Sequence, residues 1–490
     1  MTSTAISDDL ELLIHVDRSA EQSLQRQLIE QLSKAILKGQ LAPGRRLPST
    51  RVLARILGIS RNVVVAAYDD LFADGFILRQ PGSGTYVNSE LPSLPRSARP
   101  ALAETPRWLR PNSALTTGFP PTHAPEVVFR PGASDIAPLP LGIWRSIWKE
   151  VASHLPPAHC GQRGGDLELR IAIADYLGRS RGVACESGDV IITASATQAI
   201  DLIARAILIP GDRVGFEEPG YMLARQMLLA RGSSIVPIPV DDDGLQVDTL
   251  PTGSSAPLLA YVTPSHQFPL GGRLPIARRI ALLKWAEAHD SLIIEDDYDH
   301  EFRFDASPLP ALASLDKHGR VVYLGTFSKI LSPALRLGYL IAPSPLRQRL
   351  EQAALLPTDY AAWPIQRVLL ACMKEGHLDR HIRRMRRLYA EKRTLLSNLL
   401  APVSHLAQIH GLEAGLHVYL ELHSELESTW IVQEAYKRGV IVAPLSPFYL
   451  EKPDRNGLLL GYGGLTLSEI SQGATILAEV IASIASKVGL

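Results

Sequence analysis

The chain has 490 residues, more than one hydrophobic core usually organises, so two or three domains are expected and a small disulfide scaffold is excluded. Lys+Arg and Asp+Glu number 50 each, charged residues make up 20% and apolar residues 46%, which describes an ordinary globular chain whose overall charge names no partner. No run approaches the roughly eighteen apolar residues of a membrane span, and Met1–Leu10 carries Asp8 and Asp9 but no basic stretch, so neither anchor nor signal peptide is expected and the cytoplasm is the default compartment.

Neutrality hides a local asymmetry. From Gln31 to Tyr68 stand Lys34, Lys38, Arg45, Arg46, Arg51, Arg55 and Arg61 without one Asp or Glu, a window able to face a polyanion or simply to be solvated. Within it, Leu24, Leu28, Leu32 and Ile36 fall four apart on one helical face over Ser23–Lys38, and Gly39 with Pro43-Gly44 ends the pattern. Ser49 is placed to cap a short helix over Thr50–Leu57, Gly58 to turn the chain, and Ser60 to cap a third helix from Arg61 to Leu71. Gly75 breaks that helix. Phe76–Arg79, a Pro81–Gly84 turn and Thr85–Val87 then read as a hairpin too small to stand alone, which should pack on the helices as a wing.

Between Leu91 and Val127 lie eight prolines (Pro92, Pro95, Pro100, Pro106, Pro111, Pro120, Pro121, Pro125), which reads as a semi-rigid extended linker dividing the chain near 88–125. Beyond it, the apolar runs Val190–Thr193, Arg213–Phe216, Leu258–Val262, Leu292–Glu295, Val321–Leu324 and Gly338–Ile341 alternate with helix-like stretches. That rhythm predicts an α/β fold with a mainly parallel sheet covered by helices on both faces. From about Gln366 an Arg-rich helical stretch leads into a smaller C-terminal αβ domain, about 375–490. Cys160, Cys185 and Cys372 are far apart and match no metal spacing, so they read as reduced, mostly buried thiols.

Two segments carry chemistry. Ile293-Ile294-Glu295-Asp296-Asp297-Tyr298 and Gly325-Thr326-Phe327-Ser328-Lys329, continuing to Arg336, each follow an apolar strand, at the end where open αβ sheets bind ligands. Thr326, Ser328 and Arg336 offer hydroxyls and a guanidinium suited to a phosphate dianion. A lysine beside a cationic arginine in a partly dry cleft would have a depressed pKa and form imines readily. Side chains two apart in an extended segment share a side, so Asp296 and Tyr298 are expected to face one ligand and Asp297 to point away.

The ordered N-terminal set Pro43-Gly44-Arg45-Arg46-Leu47-Pro48-Ser49-Thr50-Arg51, Gly58-Ile59-Ser60-Arg61 and Pro81-Gly82-Ser83-Gly84-Thr85-Tyr86-Val87 resembles the winged helix-turn-helix of the GntR family. The resemblance implies DNA contacts by Arg51, Ser60, Arg61, Asn62 and the wing residue Gly82, with Arg45 and Arg46 added as phosphate contacts. Arg61 at a helix start is placed to fork onto a guanine. A second basic residue common four positions later is Val65 here, which leaves Asn62 more of the reading.

The segment from about Val127 onward resembles class I aminotransferases of fold type I, which use pyridoxal 5′-phosphate. That likeness implies Lys329 as the Schiff-base lysine, Asp296 on the ring nitrogen, Tyr298 on the ring hydroxyl, Tyr221 stacked on the ring, and Ala196 and Thr197 in a helix turn cradling the phosphate with Thr326, Ser328 and Arg336. His266 and Gln267 stand either near the ring or in structural hydrogen bonds. Head, linker and body together resemble the MocR/GabR type of bacterial regulator, which implies a winged helix-turn-helix over 1–87, a linker over 88–125, an effector domain over 126–490, operator DNA and a small amine or amino acid as partners, no membrane, and a head-to-tail homodimer. Three positions depart from those enzymes: Phe268 replaces an Asn beside the ring hydroxyl, Cys160-Gly161 replaces a Tyr-Gly pair whose tyrosine reaches the partner subunit's phosphate, and Leu459 stands where an arginine grips the substrate carboxylate. Phe268 and Leu459 weigh against turnover, and either the effector is not held as a standard α-amino acid or another basic residue takes the arginine's place. The alternatives are a working aminotransferase with an accessory DNA-binding domain, or a dimerisation scaffold with a dead site.

Overall fold

The computed structural model describes residues 14–20, 22–90, 127–158, 164–304, 309–354 and 361–490. The chain divides into two compact units, 1–112 and 113–490. From residue 91 the expected linker, like Cys160, lies outside the described residues.

In the first unit, Ser23 caps α1 (Leu24–Leu37), Ser49 caps α2 (Thr50–Leu57) and Ser60 caps α3 (Arg61–Ala73), each hydroxyl accepting from an amide in the first turn. Gly58 leaves α2 at φ +61°, the left-handed conformation that lets α3 turn sharply away. The wing strands β2 (Ile77–Gln80) and β3 (Gly84–Val87) pair antiparallel, and a short strand β1 (Arg46–Leu47) adds to β3 in the order β1-β3-β2. That third strand is not legible in the periodicity: only two residues long, it ties the basic Arg45-Arg46 segment to the wing. Leu28, Leu32, Leu53, Val64, Tyr68, Leu71, Ile77 and Val87 form the core, and the Tyr68 hydroxyl donates to the Pro48 carbonyl at 3.0 Å.

The second unit opens with a short strand, β4 (Val127–Val128), and is built on a sheet of eight strands: β5 (Val190–Thr193), β6 (Arg213–Glu218), β7 (Ser234–Asp241), β8 (Gly244–Leu245), β9 (Leu259–Val262), β10 (Leu292–Asp296), β11 (Val321–Thr326) and β12 (Gly338–Ile341). Their order across the sheet is β5-β12-β11-β10-β9-β6-β7-β8. Neighbours are parallel except around β12, antiparallel to both β11 and β5, and at the β7–β8 ribbon. Strands such as β9 and β11 are buried throughout, as a sheet covered on both faces requires. A smaller antiparallel sheet, β13 (Ala407–His410), β14 (His417–Leu422), β17 (Gly457–Gly461) and β16 (Ala443–Pro444), forms the C-terminal part. β4 pairs with β15 (Val440–Ile441), so Val127 and Val128 join the C-terminal part. The expected Arg-rich stretch is two helices, Trp363–Lys374 and His377–Leu400, separated at Gly376, φ +69°. No helix among the described residues is long and apolar enough to cross a membrane.

Candidate cofactor site and nucleic-acid interface

The antiparallel insertion of β12 builds the site. Register pairs Thr326 with Gly338 and Gly338 with Thr193, which aligns the end of β11, the start of β12 and the end of β5 side by side. Just beyond β5, Ser195 caps the helix α4 (Ala196–Ile207) by accepting from the Gln198 amide at 3.0 Å. Its hydroxyl also meets Thr197 Oγ1 at 2.8 Å and receives Arg336 Nη2 at 3.4 Å. A Cβ on Gly338 would lie 3.1 Å from the Ser195 carbonyl carbon and 3.2 Å from the Ala196 nitrogen, so glycine allows this close approach. Thr326 Oγ1 lies 3.0 Å from Ser328 Oγ and accepts from the Ser328 amide at 3.1 Å. Helix-terminal amides, two serines, two threonines and an exposed guanidinium thus surround one small cup, the donor set an anion of phosphate type requires.

Lys329 is half-buried beyond this cup, its ammonium donating to the Gly132 carbonyl at 2.8 Å. Burial lowers its pKa, opposed by the carboxylates of Asp299 and Asp296. Of the two expected causes, the dry cleft is the one at work: loss of hydration comes first, and Arg336 is not among the charges that move it. Asp296, 3% exposed, accepts from Tyr261 Oη at 2.6 Å through Oδ2, while its buried Oδ1 has no partner among the described residues. Burial pushes this carboxyl up to about 6, with the Tyr261 hydrogen bond acting the other way. A buried carboxylate oxygen with no donor is the complement of a protonated ring nitrogen. Asp297 turns elsewhere, to Arg181 Nε and Tyr323 Oη, each at 2.7 Å. Burial raises its cost of ionisation, but the Arg181 guanidinium outweighs it and holds the carboxyl down at about 2.

Tyr298 directs its hydroxyl to the His266 carbonyl at 3.0 Å and lies 3.1 Å from His266 Nδ1, which pairs with Asp299 Oδ2 at 2.8 Å. Gln267 spends both ends of its amide on structure: Nε2 donates to the Pro219 and Phe268 carbonyls and to Glu217, and Oε1 accepts from Leu270. Phe268 meets Tyr221 edge-on at 5.6 Å and Tyr298 at 6.2 Å, so it bridges the two tyrosines. Leu459 is fully buried in an apolar cluster with Leu270, Phe448 and Tyr449, against which Phe268 packs. Tyr261, Asp299 and His417 went unnoticed in the sequence because each reads as an ordinary strand or loop residue until the register brings it beside the site.

In the head, Arg46, Arg51, Ser60, Arg61, Asn62 and Gly82 are exposed and Arg45 is half-exposed. Arg61 Nε approaches Thr50 Oγ1 at 3.5 Å, which links the first turn of α3 to that of α2. The Arg46 guanidinium lies where a Cβ on Gly84 would be, 3.0 Å from its Nε, so the wing backbone and the basic strand run close together. Val65 is half-buried, and as a valine it offers no hydrogen-bonding group to a base.

A winged helix-turn-helix joined in one chain to an aminotransferase-fold body, with a half-buried lysine at the end of the central sheet, defines a DNA-binding regulator built on an enzyme scaffold. Residues 24–87 match the family described as bacterial regulatory proteins, gntR family, and residues 149–459 match aminotransferase class I and II. The chain is 36% identical to "Probable rhizopine catabolism regulatory protein MocR" of Rhizobium meliloti over 97% of each chain. It is also 36% identical to the pyridoxine biosynthesis transcriptional regulator PdxR of Corynebacterium glutamicum, over 93% of this chain and 96% of that one. Among solved structures, the kynurenine aminotransferase of Pyrococcus horikoshii, in complex with PMP, KYN and KYA, superposes with TM-score 0.67 at 28% identity, covering 73% of this chain and 91% of that one. The α-aminoadipate aminotransferase LysN of Thermus thermophilus, complexed with N-(5′-phosphopyridoxyl)-L-leucine, gives TM-score 0.67 at 25% identity over 74% of this chain and 93% of its own. The chain belongs to the MocR type of GntR-family helix-turn-helix transcriptional regulators.

Proposed function

We propose that this regulator binds operator DNA through its head and senses a small amine or amino acid through pyridoxal 5′-phosphate held in its body. The observation that carries the reading is the pairing of a half-buried Lys329 with a buried, partnerless Asp296 Oδ1 beside a ready anion cup. Lys329 would hold the cofactor as a Schiff base and Asp296 Oδ1 its ring nitrogen. Tyr298 would serve the ring hydroxyl, Tyr221 the ring face, and Ala196, Thr197, Thr326, Ser328 and Arg336 the phosphate. The bound aldehyde supplies exchange chemistry with amines. The chain's own part is to orient the ring, keep Lys329 short of hydration so that it is neutral more of the time, and answer occupancy with a shift in how the heads sit on DNA. Arg61 and Asn62 are the base readers in this proposal, and Arg45, Arg46, Arg51, Ser60 and Gly82 the backbone contacts. The head-to-tail homodimer and a cytoplasmic setting complete it.

The test is fluorescence anisotropy on DNA from upstream of the protein's own gene, with and without pyridoxal phosphate and a panel of amines, alongside visible absorption. A visible band that exchanges with an amine and a concurrent change in DNA affinity support the reading. No band with added pyridoxal phosphate would refute the cofactor, and DNA affinity indifferent to every amine would refute the sensing.

A further inference from the structure

The side of the pocket that would receive the effector is unlike one built for an amino acid. Phe268 meets His417 at 5.2 Å and Phe448 at 5.4 Å, and behind them lies the closed apolar cluster containing Leu459. Leu459, opposite Tyr419 on β14, is fully buried, so its position presents no polar group to a ligand. Two imidazoles and a carboxylate stand together on this wall: ligand atoms of His266, His417 and Asp299 lie within 4.8 Å of one another, and Asp299 holds His266 Nδ1. His417, at the first position of β14 and 2% exposed, has its ring 4.8 Å from that of His266. Burial, then the nearby His266 ring and the Lys329 ammonium, hold His417 well below the ordinary imidazole range, so it is neutral. A neutral imidazole has one N–H and one lone pair. The ring hydrogen-bonds the Pro269 carbonyl, and Nε2 has no partner among the described residues, so the N–H is spent and Nε2 is an acceptor only.

We infer that the effector is an amine with no carboxylate on the carbon next to its nitrogen, and with a neutral hydrogen-bond donor, an alcohol hydroxyl in the simplest case, received by His417 Nε2. This rests on the reading above that an amine enters at Lys329. A carboxylate offers only acceptors. Against the Nε2 lone pair, the Asp299 carboxylate, two phenyl rings and the Leu459 cluster it would give up its hydration for acceptors and apolar surface. A hydroxyl gives its proton to Nε2 and satisfies a buried group that otherwise stays unpaired.

The experiment uses the full-length protein loaded with pyridoxal phosphate and follows the shift of its visible band, with DNA anisotropy as second readout. The probes are matched sets: 2-aminoethanol, glycine and ethylamine, then L-phenylalaninol and L-phenylalanine. Each amino alcohol is expected to act at least tenfold below its amino acid, and 2-aminoethanol about tenfold below ethylamine, the worth of one neutral hydrogen bond. His417→Phe keeps a ring and removes the acceptor, and should erase the advantage of 2-aminoethanol over ethylamine while leaving ethylamine unchanged. Should that variant not fold, the ethylamine comparison in the wild type decides the same point from the ligand side. Tighter action of glycine or L-phenylalanine than of the alcohols overturns the effector class, and equal action of 2-aminoethanol and ethylamine overturns the role of His417. Absence of any visible band would instead refute the cofactor reading on which both rest.

Discussion

Asp296→Asn is expected to change sign with the cofactor. Without it, Asp296 is an ionised group buried with one oxygen unserved, its pKa raised to about 6 from 3.8 mainly by burial. A folded-state pKa above the unfolded one means the folded state loses stability as pH rises from about 4 to about 6. Above that window the full cost, about 3 kcal/mol, applies, and below it none. The asparagine removes that cost but leaves an amide N–H₂ without an acceptor, an offset of about 1–3 kcal/mol. The net gain at pH 8 is therefore about 1 kcal/mol, roughly one or two degrees in the unfolding midpoint of so large a body. It should fade as pH falls below about 5. With pyridoxal phosphate the order reverses, because a buried ion pair loses one charge at about 3–5 kcal/mol, about two to four orders of magnitude in affinity. Scanning calorimetry of the cofactor-free protein at pH 8 and pH 5, with an absorbance titration of the cofactor, reads both halves. A lower midpoint at pH 8 together with unchanged cofactor affinity would show that Asp296 is not a carboxylate awaiting a cation.

Lys329→Ala should abolish the visible band of the loaded protein and leave its circular dichroism unchanged; a band that survives and is still fixed by borohydride would assign the linkage to another lysine. Arg61→Ala should weaken specific operator binding by about 1–3 kcal/mol and relax base preference at one position of each half-site. By contrast, Arg45→Ala or Arg46→Ala should weaken all sequences alike and flatten the salt slope; equal losses on specific and random DNA for Arg61→Ala would remove it as a base reader. Arg181→Met strands the buried Asp297 carboxylate and should cost about 3–5 kcal/mol of stability, most of it recovered when Asp297→Asn is added, and a double variant as unstable as the single one would refute the pairing. Ordinary amino acids should be turned over poorly, since Leu459 and Phe268 leave the Cα–H bond unaligned and misplacement near 1 Å costs about a hundredfold; robust multiple-turnover keto-acid production would restore the aminotransferase reading.

Local chemistry made much of this legible. The serine caps at Ser23, Ser49 and Ser60 and the glycines between them gave helices within two residues of those found, because capping acts over one turn and needs no tertiary partner. The strand Ser234–Asp241 was not anticipated: Pro237 and Pro239 argue against a strand, yet β7 pairs along these residues with β6 alone and meets β8 only at its end. The anion cup was visible as scattered hydroxyls and one arginine, but its closure depends on the antiparallel β12, which no single-strand pattern announces. The Tyr261–Asp296 bond and the His266–His417 contact come from pairings of distant segments, and Tyr261 and His417 look like strand filler in isolation.

The position of β12 also bears on when a cofactor can first be captured. The cup is stitched from β5, the first strand of the sheet in chain order, and β12, the last, roughly a third of the chain later. During synthesis Lys329 emerges before the strand that brings Gly338 against Ser195, so the reactive amine exists for a time without its phosphate clamp. A ligand stabilises only the state it binds. On the proposed function, pyridoxal phosphate would therefore be held tightly only by chains whose sheet has closed across that long contour.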